Sequence, residues 1–473
     1  MKNRVIGRVK EQKRLMELYG SGKPEFVAMY GRRRVGKTFL IRQIFENEFI
    51  FDLAGLANSN TEKQLLNFNI AINHFGTQEF ELVDNWLLAF EQLRTLIENS
   101  QKERKIVFID EIPWLDTPYS GFISALEHFW NGWACSCNDL MLIVCGSATS
   151  WIINKLINNH GGLHNRITET IHLQPFTLSE TEFFLKSQGI EYSRYQIAEC
   201  YMTMGGIPYY LSKMERGLSL AQNIDNIFFK HYAKLKNEFK NLYASLFRDA
   251  ADYIKVVEAL SKKTKGLTRS EILAATKLQS GGTFSEILKN LERCDFIRRY
   301  SLPTKRKRDM LYQLLDAYTL FYFKYLEKFD GQDDHFWTNA ANSPQHNVWA
   351  GYAFEILALL HTNEIKQALG ISGIQTAIFA WRSEHSEPAA QVDLVIDRKD
   401  GIVNLCEIKF SETQFAIDKT YEENLRNKIA AFKTETKTRK AVHLLLFTTF
   451  GLQKNKYFSI AQKEVVLDDL FFK

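Results

Sequence analysis

Several things that would narrow the function of a 473-residue chain are missing from this one. Its six cysteines (Cys135, Cys137, Cys145, Cys200, Cys294, Cys406) include no C-x-x-C unit, and no signal-peptide pattern opens the chain. A disulfide framework is therefore not expected, and the cysteine usage reads as that of a reduced, cytoplasmic protein. Cys135 and Cys137 form a lone C-x-C, which without nearby partners reads as structural rather than metal-binding. No uninterrupted apolar run reaches the length of a bilayer span, so no transmembrane helix is expected. A charge excess is also missing. With 60 basic and 55 acidic residues the net charge is +5, too mild to argue for a nucleic-acid partner by itself, so local patches must carry that case.

What is present begins with 45% hydrophobic residues, ample for buried cores, over a length that suggests two to four domains. The informative stretch is Phe26 to Leu40, FVAMYGRRRVGKTFL, where an apolar run feeds Gly31, Gly36, Lys37 and Thr38 and then a helical pattern. Strand, glycine loop and helix in that order form a phosphate cradle. Glycines at 31 and 36 permit backbone angles and close approach that a side chain would block, so successive N–H groups can point at phosphate oxygens. Lys37 is expected to reach the β/γ-phosphates of ATP and Thr38 to take a place on Mg²⁺ at the positive end of the helix. The nucleotide-contacting segment is thus expected to comprise Gly31, Arg32, Arg33, Arg34, Val35, Gly36, Lys37, Thr38 and Phe39. The bland alternative is a surface loop that matches G-x-x-x-x-G-K-[ST] by accident; the strand before and helix after weigh against it.

Downstream, Phe49 to Asp52 reads as a second strand, and Thr61 to Phe75 and Trp86 to Asn99 read as helices from their apolar spacing. Lys105 to Glu111, KIVFIDE, is a near-continuous apolar strand ending in two carboxylates, as a buried parallel strand with its functional end at the carboxyl edge should. Asp110 is placed to hold Mg²⁺ through a water and Glu111 to orient or deprotonate an attacking water; the alternative is that both merely cap the next helix. Leu140 to Cys145 is the next buried strand, ending at Gly146-Ser147, and Ser147 is a candidate contact to the γ-phosphate or the water. This alternation predicts a doubly wound parallel sheet over Phe26 to Leu173. From Leu178 to about Asp249 the pattern turns helical, interrupted by GGIPYY at 205–210, and a small helical lid is expected.

Gly7-Arg8, the loop at Gly31 to Thr38, the strand ending Asp110-Glu111, Gly146-Ser147 and GGIPYY together resemble the archaeal-type ATPases of the AAA+/STAND group. The resemblance covers roughly the first half of the chain. It implies that Arg8 and Pro208 flank the adenine, and that an Arg after the strand-four helix acts as a finger or sensor. Arg166 in GGLHNRI is the nearest match, although Ile167 stands where a second basic residue is common. A finger acting on a neighbour's nucleotide would require a homo-oligomer; the alternative is a surface salt bridge.

Tyr253 to Leu260, Leu267 to Ala275 and Thr283 to Cys294 are short helix patterns, and Phe296 to Leu302 and Met310 to Leu315 flank Lys305-Arg306-Lys307-Arg308. Three helices and a hairpin with a basic tip is a winged-helix layout, with Thr268, Arg269 and Ser270 at a helix start. DNA contact would set Thr283 to Lys289 in the major groove and the basic tip on phosphates; the competing reading is a packing module. Tyr318 to Phe329 is an aromatic-rich helix expected to pack against a neighbour. Gly331 to Pro344 reads as a linker.

In the last domain, Asn347 to His361 is a helix carrying Glu355, and Gln391 to Phe410 is a hairpin. A three-residue loop, Lys399-Asp400-Gly401 with Gly401 left-handed, sets Asp393 opposite Glu407. One face then holds Val392, Leu394, Ile396, Cys406 and Ile408, and the other Asp393, Glu407 and Lys409. Two opposed carboxylates beside a Lys would be a hard-oxygen site for Mg²⁺ or Mn²⁺ able to activate a water. Asp393, Glu407-Ile408-Lys409 and upstream Glu355 resemble the PD-(D/E)xK nuclease-like fold, over about Trp349 to Phe447, although Ala389-Ala390 stand where a Pro is common. The alternatives are a hairpin of solvated charges or an inactive relic that only binds DNA ends.

The expected fold is α/β: a P-loop parallel sheet (1–177) with a helical lid (178–249), then a winged helix (250–330), then an α/β restriction-endonuclease-like domain (345–473). The expected function is an ATP-driven switch or motor acting on DNA with a nuclease-like effector. The runner-up is a nucleotide-controlled DNA-binding regulator whose last domain is inactive. A protein-scaffold ATPase without a nucleic-acid partner is a third reading.

Overall fold

The computed structural model describes residues 5–76, 80–158, 161–163, 165–247, 249–301, 310–341, 343–383, 385–387 and 389–472. The chain divides into two compact units, Met1–Pro175 and Phe176–Lys473.

The first unit is built on strands β1 (Glu25–Tyr30), β2 (Phe49–Ala54), β3 (Lys105–Asp110), β4 (Leu140–Gly146) and β5 (Glu169–His172). They form a parallel sheet in the order β2-β3-β4-β1-β5. The central strands are apolar along their whole length because helices cover both faces; every residue of β4 is buried. The helices Thr61–Phe75 and Trp86–Asn99 span the residues that their periodicity predicts, each opened by an Asn side chain (Asn60, Asn85) accepting from the amide three residues on. Phe68, Trp86, Phe90, Phe122 and Trp130 pack with Phe26 and Phe51 into one core, and truncating a side chain such as Trp86 would cost about 3–5 kcal/mol. The N-terminal helix begins at Val9, directly after Gly7 and Arg8, which both adopt left-handed backbone angles. Parallel order places the carboxyl ends of β1, β3 and β4 side by side, which is where loops can converge on a ligand.

The second unit opens with helices, among them Leu178–Ser187, Arg194–Met204 and Glu238–Leu246. Three helices, Ala250–Ser261, Arg269–Thr276 and Gly282–Arg293, then accompany a small antiparallel sheet of β6 (Leu267–Thr268), β7 (Ile297–Tyr300) and β8 (Leu311–Leu314), ordered β6-β8-β7. The basic tip Lys305–Arg308 lies outside the described residues. The stretch read as a linker differs from that expectation: Phe336–Ala340 is a helix, and Trp337 is buried against Phe321, Tyr325 and Trp349. Buried Asp225 fastens it by accepting from the amides of Trp337 (2.7 Å) and Thr338 (3.1 Å), a tertiary tie that composition does not reveal.

The C-terminal sheet comprises β9 (Thr376–Arg382), β10 (Gln391–Arg398), β11 (Ile402–Lys409), β12 (Ala441–Thr448) and β13 (Lys463–Val466), in the order β13-β12-β11-β10-β9. It is mixed: β9-β10-β11 are antiparallel, β11-β12-β13 parallel. The register, Leu394 opposite Cys406 through Asp397 opposite Val403, carries one step on to set Asp393 opposite Glu407, and Gly401 has φ 89° in a three-residue loop. One expectation is corrected. A bulge between Val392 and Val395 against β9 moves Val392 into the cluster of Val395, Val403 and Leu405, packed with Leu425 and Phe432 of the helix Lys419–Thr436. Both faces of the hairpin are therefore apolar, and the charged residues are gathered at one end.

No described helix is long and apolar enough to cross a membrane.

Candidate functional site

At the carboxyl end of β1 the chain turns through Gly31 at φ 146°, where a Cβ would lie 2.3 Å from the carbonyl oxygen of Leu173, so no other residue fits without moving β5's exit. Gly36 at φ 94° opens the helix Lys37–Ile44, and Arg34 between them is also left-handed. Alternating handedness of this kind turns successive amides inward, and the helix adds its positive end. Lys37 is buried, with Nζ donating to the carbonyls of Gly31 and Arg32 at 2.9 Å each. Arg32 and Val35 are buried, Arg33 and Arg34 partly so, and Phe39 points out at 47% exposure. Arg8 is buried as well, its Nη2 donating to the carbonyl of Val35 at 3.3 Å, which ties the Gly-Arg segment to the loop.

Thr38 and Asp110 meet across the sheet edge. The Thr38 hydroxyl donates to Asp110 Oδ2 at 2.7 Å, which leaves the hydroxyl lone pairs for a cation. Asp110 Oδ1 accepts from the amide of Glu111 (2.8 Å) and from the thiol of Cys145 (2.6 Å). Burial, then the charge of Asp110 and its hydrogen bond, pushes the Cys145 thiol well up, so it stays a donor. Glu111 is left-handed at φ 45° and turned onto Ser147, which donates both its amide (3.1 Å) and its hydroxyl (3.0 Å) to the carboxylate. Arg166 lies in an exposed turn and forms no ion pair among the described residues. In the second unit Pro208 is the first residue of the short helix Pro208–Leu211 and is half-buried.

The C-terminal unit holds a second cluster. Asp393 Oδ2 accepts from the amide of Ile408 (3.0 Å), and its Oδ1 accepts from Lys265 Nζ (2.9 Å), which also donates to Glu355 Oε2 (2.6 Å) of the helix Pro344–Leu360. Glu407 Oε2 accepts from Lys428 Nζ (2.7 Å) and from the hydroxyl of Tyr421 (3.3 Å). Lys409 is half-buried, its ammonium 5.3 Å from the centre of the Tyr421 ring, and forms no ion pair among the described residues. Burial would raise Asp393, but Lys265, the Ile408 amide and Lys409 prevail and hold it below the ordinary carboxylate range. Burial and the charge of Asp393 push Glu407 up, and the same two causes push Glu355 up to about 7. Among the described residues, no group of three or more His, Cys, Asp or Glu is arranged to hold a metal ion; in the C-terminal cluster Lys265 stands between Glu355 and Asp393, and Lys428 pairs with Glu407.

Sequence reasoning missed Cys145, Lys265, Lys428 and Tyr421. Cys145 was concealed because adjacency of β3 and β4 is a fact of topology. Lys428 and Tyr421 lie on a helix whose facing strand no local pattern names, and Lys265 looks like one more solvated lysine in KKTKG.

Residues 6–214 match a family described as an ATPase domain predominantly from Archaea. The chain is 26% identical over 366 residues to an uncharacterised protein of Methanocaldococcus jannaschii, which spans 75% of this chain and 76% of that one. Among solved structures it is similar to a Walker-type ATPase of Pyrococcus abyssi, with 18% identity, TM-score 0.47, and 68% of this chain and 96% of that one covered. A second is the ORC2 protein of Aeropyrum pernix in ADPNP-ADP complexes, at 14% identity and TM-score 0.44, covering 70% of this chain and 96% of that one. With the glycine loop, the Thr38–Asp110 pair and the family match all falling on the same residues, the chain carries an ATPase domain of the predominantly archaeal type.

Proposed function

We propose that this ATPase is a nucleotide-driven switch or motor acting on DNA, with a nuclease-like C-terminal effector. The observation that carries the first half is the bond from Thr38 to Asp110 beside buried Lys37. Mg²⁺ bound with ATP would neutralise phosphate charge, and Thr38 and Asp110 are the residues that would hold it. Lys37 supplies a fixed positive charge to the β/γ-phosphates, and the amides of Gly31 to Thr38 supply aligned donors. Glu111 serves as the group that orients the attacking water once Ser147 releases it, Arg8 and Pro208 serve the adenine, and Arg166 serves as a finger or sensor.

The effector reading rests on Asp393, Glu407, Lys409 and Glu355, which four different backbone positions bring to one end of β10 and β11. Mg²⁺ or Mn²⁺ between Asp393 and Glu407 would activate a water for phosphodiester cleavage. The three helices with β6 to β8 support a winged-helix reading, with Thr283, Ser285, Glu286 and Lys289 exposed on Gly282–Arg293 as the groove-facing side. The alternative, a nucleotide-controlled regulator with an inactive last domain, is favoured by one observation: Asp393 already has an ammonium partner in Lys265. Incubating the purified protein with plasmid, ATP and Mg²⁺ or Mn²⁺, and scoring nicking and phosphate release together, separates the two. Phosphate release without nicking would favour the regulator.

A further inference from the structure

We infer that Lys265 is a built-in cation of the C-terminal carboxylate cluster, and that a divalent ion enters among Glu355, Asp393 and Glu407 only when the Lys265 ammonium leaves. The inference rests on the reading of Asp393 and Glu407 as a cation-binding pair and specifies how that pair is regulated. Lys265 Nζ lies 2.6 Å from Glu355 Oε2 and 2.9 Å from Asp393 Oδ1, and the three side chains are only 11%, 19% and 10% exposed. A divalent ion would need those same oxygens at about 2.0–2.6 Å, so ammonium and metal exclude each other.

Lys265 is delivered there by its backbone. The next residue, Gly266, has φ 78°, and a Cβ on it would lie 2.2 Å from the carbonyl oxygen of Tyr312, so the loop is pressed onto β8. The carbonyl of Lys265 accepts from the Tyr300 hydroxyl (2.5 Å) and that of Thr264 from Gln313 Nε2 (2.6 Å). Those anchors belong to the three-stranded sheet, so shifting that sheet withdraws the lysine.

An independent sign of a cation site is Glu407 Oε1, which has no hydrogen-bond partner among the described residues in a side chain only 1% exposed. A buried carboxylate oxygen without a donor is costly, and a cation held between Asp393 and Glu407 would satisfy it. With Lys265 in place, three carboxylates (Glu355, Asp393, Glu407) are matched in number by three ammonium groups (Lys265, Lys409, Lys428), so Lys265 supplies the charge that a metal would otherwise bring, and Glu407 Oε1 is the oxygen it leaves unmet.

The test is Mn²⁺ binding to the nucleotide-free full chain, followed by the loss of the free-ion paramagnetic resonance signal. Lys265→Met should take up one Mn²⁺ per chain about tenfold or more tighter than wild type, and adding Asp393→Asn should abolish that uptake. Equal binding by wild type and Lys265→Met would overturn the role of Lys265 while leaving the carboxylates as a metal site. No uptake by either, with Lys265→Met melting cooperatively, would overturn the carboxylate reading itself. If Lys265→Met does not fold, wild type decides the matter through acetic anhydride labelling read by mass spectrometry. Lys265 should react about tenfold or more slowly than exposed Lys262 and Lys263, and Mn²⁺ should speed it. Reaction at its neighbours' rate, or no acceleration by Mn²⁺, would overturn the inference.

Discussion

Glu111 and Ser147 hold each other: Glu111 stands at φ 45°, and its carboxylate accepts both the amide and the hydroxyl of Ser147. A non-glycine residue in the left-handed region costs roughly 1 kcal/mol, and the two donors offset it. Removing the hydroxyl in Ser147→Ala leaves one donor and loosens Glu111. ATP turnover should rise severalfold, within the roughly ten- to hundredfold that one hydrogen bond to a charged group allows. A fall in turnover would instead mark Ser147 as a contact to the γ-phosphate or the water.

Lys37→Ala should abolish nucleotide binding or turnover, and Glu111→Gln should keep binding while stopping turnover, because only water activation is lost. Filter binding and phosphate release measure the two separately. Gly31→Ala should resemble Lys37→Ala, since its methyl meets the Leu173 carbonyl at 2.3 Å. Unchanged hydrolysis in all three variants would remove the loop from the mechanism.

Arg166, exposed and without an ion pair among the described residues, should act on a neighbouring subunit's nucleotide. Turnover per subunit should then climb with protein concentration, and Arg166→Ala should flatten the climb. Concentration-independent turnover in a monomer, checked by ultracentrifugation, would exclude a finger in trans.

Asp393→Ala and Lys409→Ala should each suppress metal-dependent plasmid cleavage and leave ATP turnover intact, because the carboxylate cluster and the nucleotide loop lie in separate units. Supercoiled-to-nicked conversion on a gel is the readout. Cleavage that survives both substitutions would place the chemistry elsewhere or in a contaminant.

Glu355 gives the second unit a pH dependence of known sign. Burial and Asp393 hold it near 7 against an ordinary 4.5, so between those values the folded protein keeps a proton that the unfolded chain has released. Its contribution is therefore full at the acid end and lost as pH rises through about 7, with a slope of at most about 1.4 kcal/mol per pH unit. His346 and His361, lowered by burial, contribute the opposite slope. The measurement is thus the difference in melting between wild type and Glu355→Gln from about pH 5 to about pH 7.5. Wild type should lose ground as pH rises; a flat difference would show that Glu355 titrates normally.

Local sequence determined whatever depends on neighbours along the chain. The glycine loop was legible because positive φ at Gly31 and Gly36 and a lysine behind them need only adjacent residues. The helices Thr61–Phe75 and Trp86–Asn99 follow from period and an Asn cap. The hairpin register followed from parity, since Gly401 in a three-residue loop sets Asp393 opposite Glu407. Tertiary structure decided what depends on residues far apart. Only strand order puts the Cys145 thiol on Asp110, and only the bulge against β9 puts Val392 with Val395. Lys265 reaches Asp393 across 128 positions of sequence. Whether a carboxylate faces water, a metal or an ammonium is set by what packs against it, and no periodicity in its own strand encodes that.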